Sequence, residues 1–225
     1  GEQPSRVFNV GGMGIDNINQ LDLLSKSDFE KAVNFSLGEK NILVTFHPVT
    51  LEHSTAKIQF QALLDSISKL QNTKVIFTKA NSDTDGRVIN SMIDSYTAKR
   101  DNTIAFTSMG QLKYLSALQF MDAVVGNSSS GLTEAPSFNI ATINIGDRQK
   151  GRIKADSIIS CPPTQKSIDH SFEKLYSKDF KNIVGNTKNP YGKGGASKEI
   201  VKIIKQTNLD GILKKPFYDL KNITA

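Results

Sequence analysis

The stretch Val125-Gly126-Asn127-Ser128-Ser129-Ser130-Gly131-Leu132-Thr133-Glu134-Ala135-Pro136 is the most telling in this chain. The apolar run from Asp122 to Val125 leads into it and predicts a buried strand, followed by a small polar turn and then a helix. Three hydroxyls, two glycines and the orphan amides of a helix N-terminus therefore meet within a few residues. That chemistry suits a phosphate, because free N–H groups and the positive helix end both point at the anion. Glu134 follows about one turn later, where a carboxylate can accept hydrogen bonds from ribose hydroxyls. The same spacing suits a serine N-cap with a glutamate completing a capping box, and spacing alone leaves both readings open.

Working outward, strand-like runs recur at Val7–Val10, Ile42–Phe46, Val75–Thr78, Thr103–Phe106, Ala123–Gly126 and Ala141–Ile145, with a weaker one at Ser157–Ser160. Most are continuous and rich in Val, Ile and Phe rather than alternating, the pattern of strands covered on both faces. Between them lie helix-length segments. Thr55–Leu70 sets Ile58, Ala62, Leu63, Ile67 and Leu70 on one stripe, and Gly86–Lys99 and Gln111–Met121 read similarly. This alternation predicts an α/β fold with a doubly wound parallel sheet of Rossmann-like type. Ligands of such sheets bind beyond the carboxyl ends of the strands. His47, Asn81, Ser108, the serine cluster and Arg148 each follow a successive predicted strand, and folding alone gives little reason for that.

The chain has 225 residues, room for one large or two small domains. Its apolar content and moderate charge are those of a soluble globular protein, and no stretch reads as a bilayer span or a signal peptide. One cysteine, Cys161, excludes an intramolecular disulfide framework and fits a reducing, cytoplasmic setting. No Cys/His cluster has zinc spacing, and His47, His53 and His170 are scattered. The net charge of +6 raises the question of nucleic acid, but the lysines are dispersed and aromatic stacking motifs are missing. A solvated surface, or a basic pocket for a small phosphorylated ligand, accounts for the charge without nucleic acid. Gly1–Arg6 reads as an interdomain linker, residues 7–206 as the domain, and 207–225 as a Lys-rich C-terminal segment that packs or frays. With a strand expected directly after the linker, the chain is expected to start at a domain boundary.

Each remaining motif admits a bland reading. His47, in His47-Pro48-Val49-Thr50, can donate to a phosphate or move a proton, or can be structural. Asn81 opens a helix and suits an Asx turn. Asp83 and Asp85 form a D-x-D too sparse for a metal site. Gly11-Gly12-Met13-Gly14 lacks the dinucleotide fingerprint and reads as a tight turn that lets another segment approach. The loop Gly146-Asp147-Arg148-Gln149-Lys150-Gly151-Arg152 puts arginine where it can neutralise a diphosphate, or is simply solvated. The polar loop Asn186–Gly195 leads into a helix over Ala196–Gln206, and its Gly-rich end lacks the Walker pattern.

Taken together, His47-Pro48-Val49-Thr50, the Asn81 loop, Gly126-Asn127-Ser128-Ser129-Ser130-Gly131, Glu134, Thr142-Ile143-Asn144-Ile145-Gly146 and Arg148-Gln149-x-Gly151-Arg152 resemble the UDP-N-acetylglucosamine 2-epimerases. The serine-rich turn and the basic loop favour the hydrolysing branch, which releases UDP and N-acetylmannosamine for sialic-acid-type sugars. The resemblance runs from about Val7 to Gln206 and is specific in combination rather than piece by piece.

The resemblance implies a two-domain, glycosyltransferase-B-like fold of which this chain matches the C-terminal, UDP-holding domain. By position, His47 would approach the diphosphate and Asn81 would lie near the nucleotide. The Ser108–Met109 backbone would read the uracil edge. Ser128 and Ser129 would bind phosphate, Glu134 the ribose hydroxyls, and Arg148 the diphosphate region. The family eliminates UDP to give a glycal and then hydrates it, with acid–base carboxylates from the N-terminal domain. No convincing pair stands in this chain, so alone it is expected to bind UDP weakly without turnover. No metal or other cofactor is expected, the diphosphate charge falling to the helix terminus, His47 and Arg148. Neither nucleic acid nor membrane is an expected partner; the missing N-terminal domain, a UDP-N-acetylhexosamine and further copies of the chain are. A glycosyltransferase of the same fold, or a non-catalytic nucleotide-sugar-binding module, would present the same groups.

Overall fold

The computed structural model describes residues 1–48, 55–81, 84–214 and 216–219. Strands β1 (Lys40–Thr45), β2 (Thr73–Thr78), β3 (Thr103–Phe106), β4 (Ala123–Gly126), β5 (Ala141–Ile145) and β6 (Ile158–Cys161) form one sheet in the order β3-β2-β1-β4-β5-β6. Every neighbouring pair is parallel, with Ile42 opposite both Val75 and Ala123. This is the doubly wound architecture that the strand–helix alternation predicts.

Alternate residues of the inner strands serve two different cores, which is why the runs are continuously apolar. Ile42, Val44, Val75, Phe77, Val125 and Ile143 point to a face covered by α3 (Ala56–Ile67), α4 (Thr84–Thr97), α7 (Gln165–Leu175) and α8 (Lys178–Gly185). Leu43, Ile76 and Val124 point to the face covered by α2 (Lys26–Val33) and α5 (Gly110–Leu118). Phe29, Phe60, Leu63 and Leu118 are fully buried at these contacts, each such side chain contributing about 2 kcal/mol through removal from water.

The ends of the domain depart from expectation. Residues 7–10 form no strand, and Val7 and Phe8 are 63% and 53% exposed. Their β propensity is real, but none of the six strands of the sheet pairs with the segment. Two helices that the sequence pattern did not suggest, α1 (Met13–Gln20) and α2, precede β1. Pro4–Arg6 is a turn of 3-10 helix. The last helix, α9 (Ala196–Gln206), has the bounds expected, and beyond it the Tyr218 N–H donates to the Gly1 carbonyl at 3.1 Å. The Asp16 carboxylate on α1 accepts from the N–H groups of Gly195 (2.5 Å) and Ser197 (2.7 Å) and from the Ser197 hydroxyl. It thereby caps α9 from outside the helix.

Candidate functional site

In this strand order the connections change direction between β1 and β4, and the crevice of a doubly wound sheet opens there. Gly126 ends β4 with φ +135°, and a Cβ there would sit 2.0 Å from the Thr45 carbonyl oxygen. Only glycine lets the two strand ends close up so tightly. The next residue, Asn127, is 1% exposed and uses that proximity. Its Oδ1 accepts from the His47 N–H and its Nδ2 donates to the His47 carbonyl, both at 2.7 Å. The Asn127 carbonyl in turn accepts from Gln149 Nε2 at 2.9 Å and from an Arg148 guanidinium N–H at 3.2 Å. One buried asparagine thus ties together the ends of β1, β4 and the loop after β5. A second asparagine repeats the device one strand over: Asn90 on α4 accepts from the Ala80 N–H and donates to its carbonyl, at 2.8 and 3.0 Å.

The serine turn does not form the capping box, and its helix is shorter than expected. Its α-helix, α6 (Ser130–Thr133), is four residues long and passes into 3-10 helix over Ala135–Phe138. Pro136 there lacks the N–H that an i→i−4 bond needs. So short a helix has little macrodipole, and what the turn offers an anion is its local N–H groups. Those of Ser128 and Ser129 have no hydrogen-bond partner among the described residues. Ser129 makes no side-chain cap, and Glu134 does not close a capping box on a turn amide. Instead Glu134 Oε2 accepts from the Ser130 hydroxyl at 2.5 Å, and Ser130 Oγ accepts from the Tyr114 hydroxyl at 2.7 Å. Burial pushes the Tyr114 phenol up to about 12, so it stays a donor at neutral pH.

His47, Ser108, Met109 and Glu134 share the wall of one cleft of about 400 Å³, together with Thr45 and Tyr114. His47 is half-buried, Ser108 exposed and Met109 buried. Ser128, Ser129 and the exposed Arg148 stand beside it around Asn127. Asn81 is exposed after the end of β2 and is not among the described residues that line this cleft. Val49, Thr50, His53 and Asp83 lie outside the described residues. Among the described residues no three His, Cys, Asp or Glu side chains converge as a metal site would need. A second cleft of about 440 Å³, past the ends of β5 and β6, is lined by Asp147, Cys161 and two prolines, and among the described residues no cationic side chain lines it. It is the poorer place for an anion.

The glycines ahead of α1 behave as a close-approach turn. The Gly12 N–H donates to the Tyr191 carbonyl at 2.7 Å, and a Cβ on Gly11 would come within 3.0 Å of that oxygen. A Cβ on Gly14 would stand 3.8 Å from Glu134 Oε1, so α1 begins against the cleft. Asn127, Gln149, Tyr114, Ser130 and Asn90 are the residues that sequence reasoning left out of the site. Asn127 and Gln149 sat inside recognised motifs, but a buried clamp cannot be told from a turn asparagine without knowing the strand order.

The fold and cleft define a Rossmann-type, glycosyltransferase-B-like domain. Residues 1–205 match the family model for UDP-N-acetylglucosamine 2-epimerase. The chain is 41% identical over 222 residues to the GDP/UDP-N,N'-diacetylbacillosamine 2-epimerase (hydrolyzing) of Campylobacter jejuni, covering 98% of this chain and 57% of that one. It is 36% identical over 230 residues to the polysialic acid biosynthesis protein P7 of Escherichia coli, covering 100% of this chain and 58% of that one. The structure of S. aureus MnaA with UDP shares the fold at TM-score 0.73 and 18% identity, over 96% of this chain and 57% of that one. The chain belongs to the UDP-N-acetylglucosamine 2-epimerase family, in its hydrolysing branch. It spans a little over half the length of these relatives.

Proposed function

We propose that this chain is the UDP-holding half of a hydrolysing 2-epimerase that acts on a UDP-N-acetylhexosamine. The observation that carries the proposal is the switch-point clamp: Asn127 fixes His47 and gathers Arg148 beside the free Ser128 and Ser129 amides. A diphosphate laid there meets two N–H groups, the serine hydroxyls, the His47 imidazole and one guanidinium. In this reading Glu134 takes the ribose hydroxyls, the Ser108–Met109 backbone takes the uracil edge, and Asn81 stands near the nucleotide. The name of the Campylobacter relative favours a 4-acetamido-6-deoxy sugar over UDP-N-acetylglucosamine itself.

The reaction ascribed to the whole protein is loss of UDP across C1–C2 to a glycal, followed by addition of water at C1 with inversion at C2. It needs a base for the C2 proton and an acid at the leaving or re-entering face. Among the described residues the cleft wall presents one carboxylate, Glu134, already committed to Ser130. The acid–base pair therefore belongs to a second domain that closes over the cleft, and residues 7–206 by themselves bind UDP without turnover.

Thermal unfolding with and without millimolar UDP tests the site. A ligand bound only by the folded state adds about 2.7 kcal/mol at a hundredfold excess over its Kd, a rise of roughly 5–10 °C for a chain this long. The shift should shrink in Ser129→Ala. No shift in the full-length protein sinks the proposal. Release of UDP from a UDP-sugar by residues 1–225 alone would overturn the claim that this half lacks its acid–base pair.

A further inference from the structure

Glu134 is held by a directed chain of hydroxyls. An ionised carboxylate only accepts, so Ser130 must give its single proton to Oε2. Having no proton left, Ser130 Oγ must accept from Tyr114, which the 2.7 Å contact satisfies. Thr45, whose Oγ1 lies 2.5 Å from Thr78 Oγ1, lines the same cleft wall as Tyr114. The line therefore starts at Tyr114 on α5 and ends on the Glu134 carboxylate. Each donor polarises the next. Glu134 Oε2 is consumed by this line, while Oε1 accepts nothing among the described residues; Glu134 lines the cleft, with Oε1 on the side of Gly14 at the start of α1. A carboxylate with one oxygen tethered and one free has a fixed direction in which it can accept a ligand's proton.

We propose that Tyr114 and Ser130 are positioning residues that aim Glu134 Oε1 at a vicinal diol, and so make the cleft choose ribose over deoxyribose. The inference rests on the UDP reading above and adds to it the source of sugar discrimination. Without the tether the glutamate has three free torsions and a choice of oxygen, and a hydroxyl at C2′ meets a less organised acceptor. Tyr114→Phe removes one hydroxyl and leaves the ring. Ser130→Ala removes the link itself, and Ser130→Thr retains a hydroxyl there.

The test is titration of the full-length protein and these variants with UDP and with 2′-deoxy-UDP. A hydrogen bond to a charged group corresponds to a preference of about 10–100-fold, expected here for UDP in the wild type. Ser130→Ala and Tyr114→Phe should each cut that ratio several-fold by weakening UDP while leaving 2′-deoxy-UDP binding almost unchanged. Ser130→Thr should retain the ratio, and Glu134→Gln should abolish most of it. Melting temperatures of the variants separate loss of aim from loss of fold, which would weaken both ligands alike. A wild-type ratio that persists in Ser130→Ala and Tyr114→Phe overturns the positioning role while leaving the UDP site intact. If the wild-type protein fails to bind UDP at all, the site reading has failed first and this inference falls with it.

Discussion

Replacing Asn127 with alanine is the most direct test of how the site is assembled. The substitution removes two hydrogen bonds of 2.7 Å to the His47 backbone from a side chain that is 1% exposed. Each bond is worth about 1 kcal/mol net, and stranding a buried partner costs up to about 1–3 kcal/mol more. His47 is only half-buried, so water recovers part of that, and the total comes to about 2–4 kcal/mol. For a chain of this length the melting temperature should fall by roughly 5–15 °C. UDP affinity should fall as well, because the turn and the histidine lose their common anchor. Asn127→Asp supplies the discriminating control. Its carboxylate can still accept from the His47 N–H, but its second oxygen faces the His47 carbonyl, where only the protonated acid can donate. The folded state therefore binds that proton more tightly than the unfolded chain. Stability relative to wild type must fall as pH rises through the folded pKa and recover as pH drops. Asn127→Ala, with nothing to titrate, should show a deficit independent of pH. A melting point within about 1 °C of wild type for Asn127→Ala, with UDP binding retained, would refute the clamp.

Two further predictions concern packing and capping. In Gly131→Ala the new Cβ would lie 2.6 Å from Thr142 Cγ2, an overlap expected to cost about 1–3 kcal/mol. Thr142→Ser removes that methyl while keeping the hydroxyl that donates to the Gly131 carbonyl at 2.6 Å, so the double variant should melt above Gly131→Ala alone. The bond from the Ser197 hydroxyl, with those from the backbone around α9, holds the Asp16 carboxyl below its ordinary value of 3.8. A depressed acid contributes stability above its unfolded pKa and loses it as pH falls through the folded one. Asp16→Asn should therefore be less stable than wild type at neutral pH, with the two urea midpoints converging below about pH 4.

All six strands and α9 are legible to within a residue or two because burial on both faces leaves continuous Val/Ile runs, as in Ile42–Phe46 and Ala141–Ile145. Val7–Val10 carries similar residues but pairs with no strand of the sheet, and propensity without pairing makes no strand. Some of what went unread was nevertheless written locally. Ser25 caps α2 by accepting from Asp28 N–H, and Asn34 closes it at φ 49°. Thr164 caps α7, whose Ile168, Phe172 and Leu175 recur at helical spacing. Other features were not written locally at all. The four-residue length of α6 follows from Pro136 together with the demand that Gly131 sit directly on Thr142.

The residues of the candidate site were legible as types but not as partners, and the sheet order explains the difference. The chain leaves β1 for α3 on one face and leaves β4 for α6 and the 3-10 turn on the other. The two connections diverge, and a crevice opens between strand ends that are adjacent in space but some 80 residues apart in sequence. An asparagine after a strand reads locally as a turn former, and a histidine after a strand as an isolated polar group. Only when β1 and β4 are neighbours does Asn127 face His47, and only because position 126 is glycine can they come close enough for both amide bonds. The same adjacency sets Thr45, at the end of β1, on one cleft wall with Tyr114 and Glu134, which Ser130 links. On the proposed reading, the half of the cleft offered to the diphosphate and the half offered to the ribose are thus two consequences of one topological choice. A substitution that loosens the β1–β4 contact at Gly126 should disturb both at once, whereas Tyr114→Phe should disturb only the second.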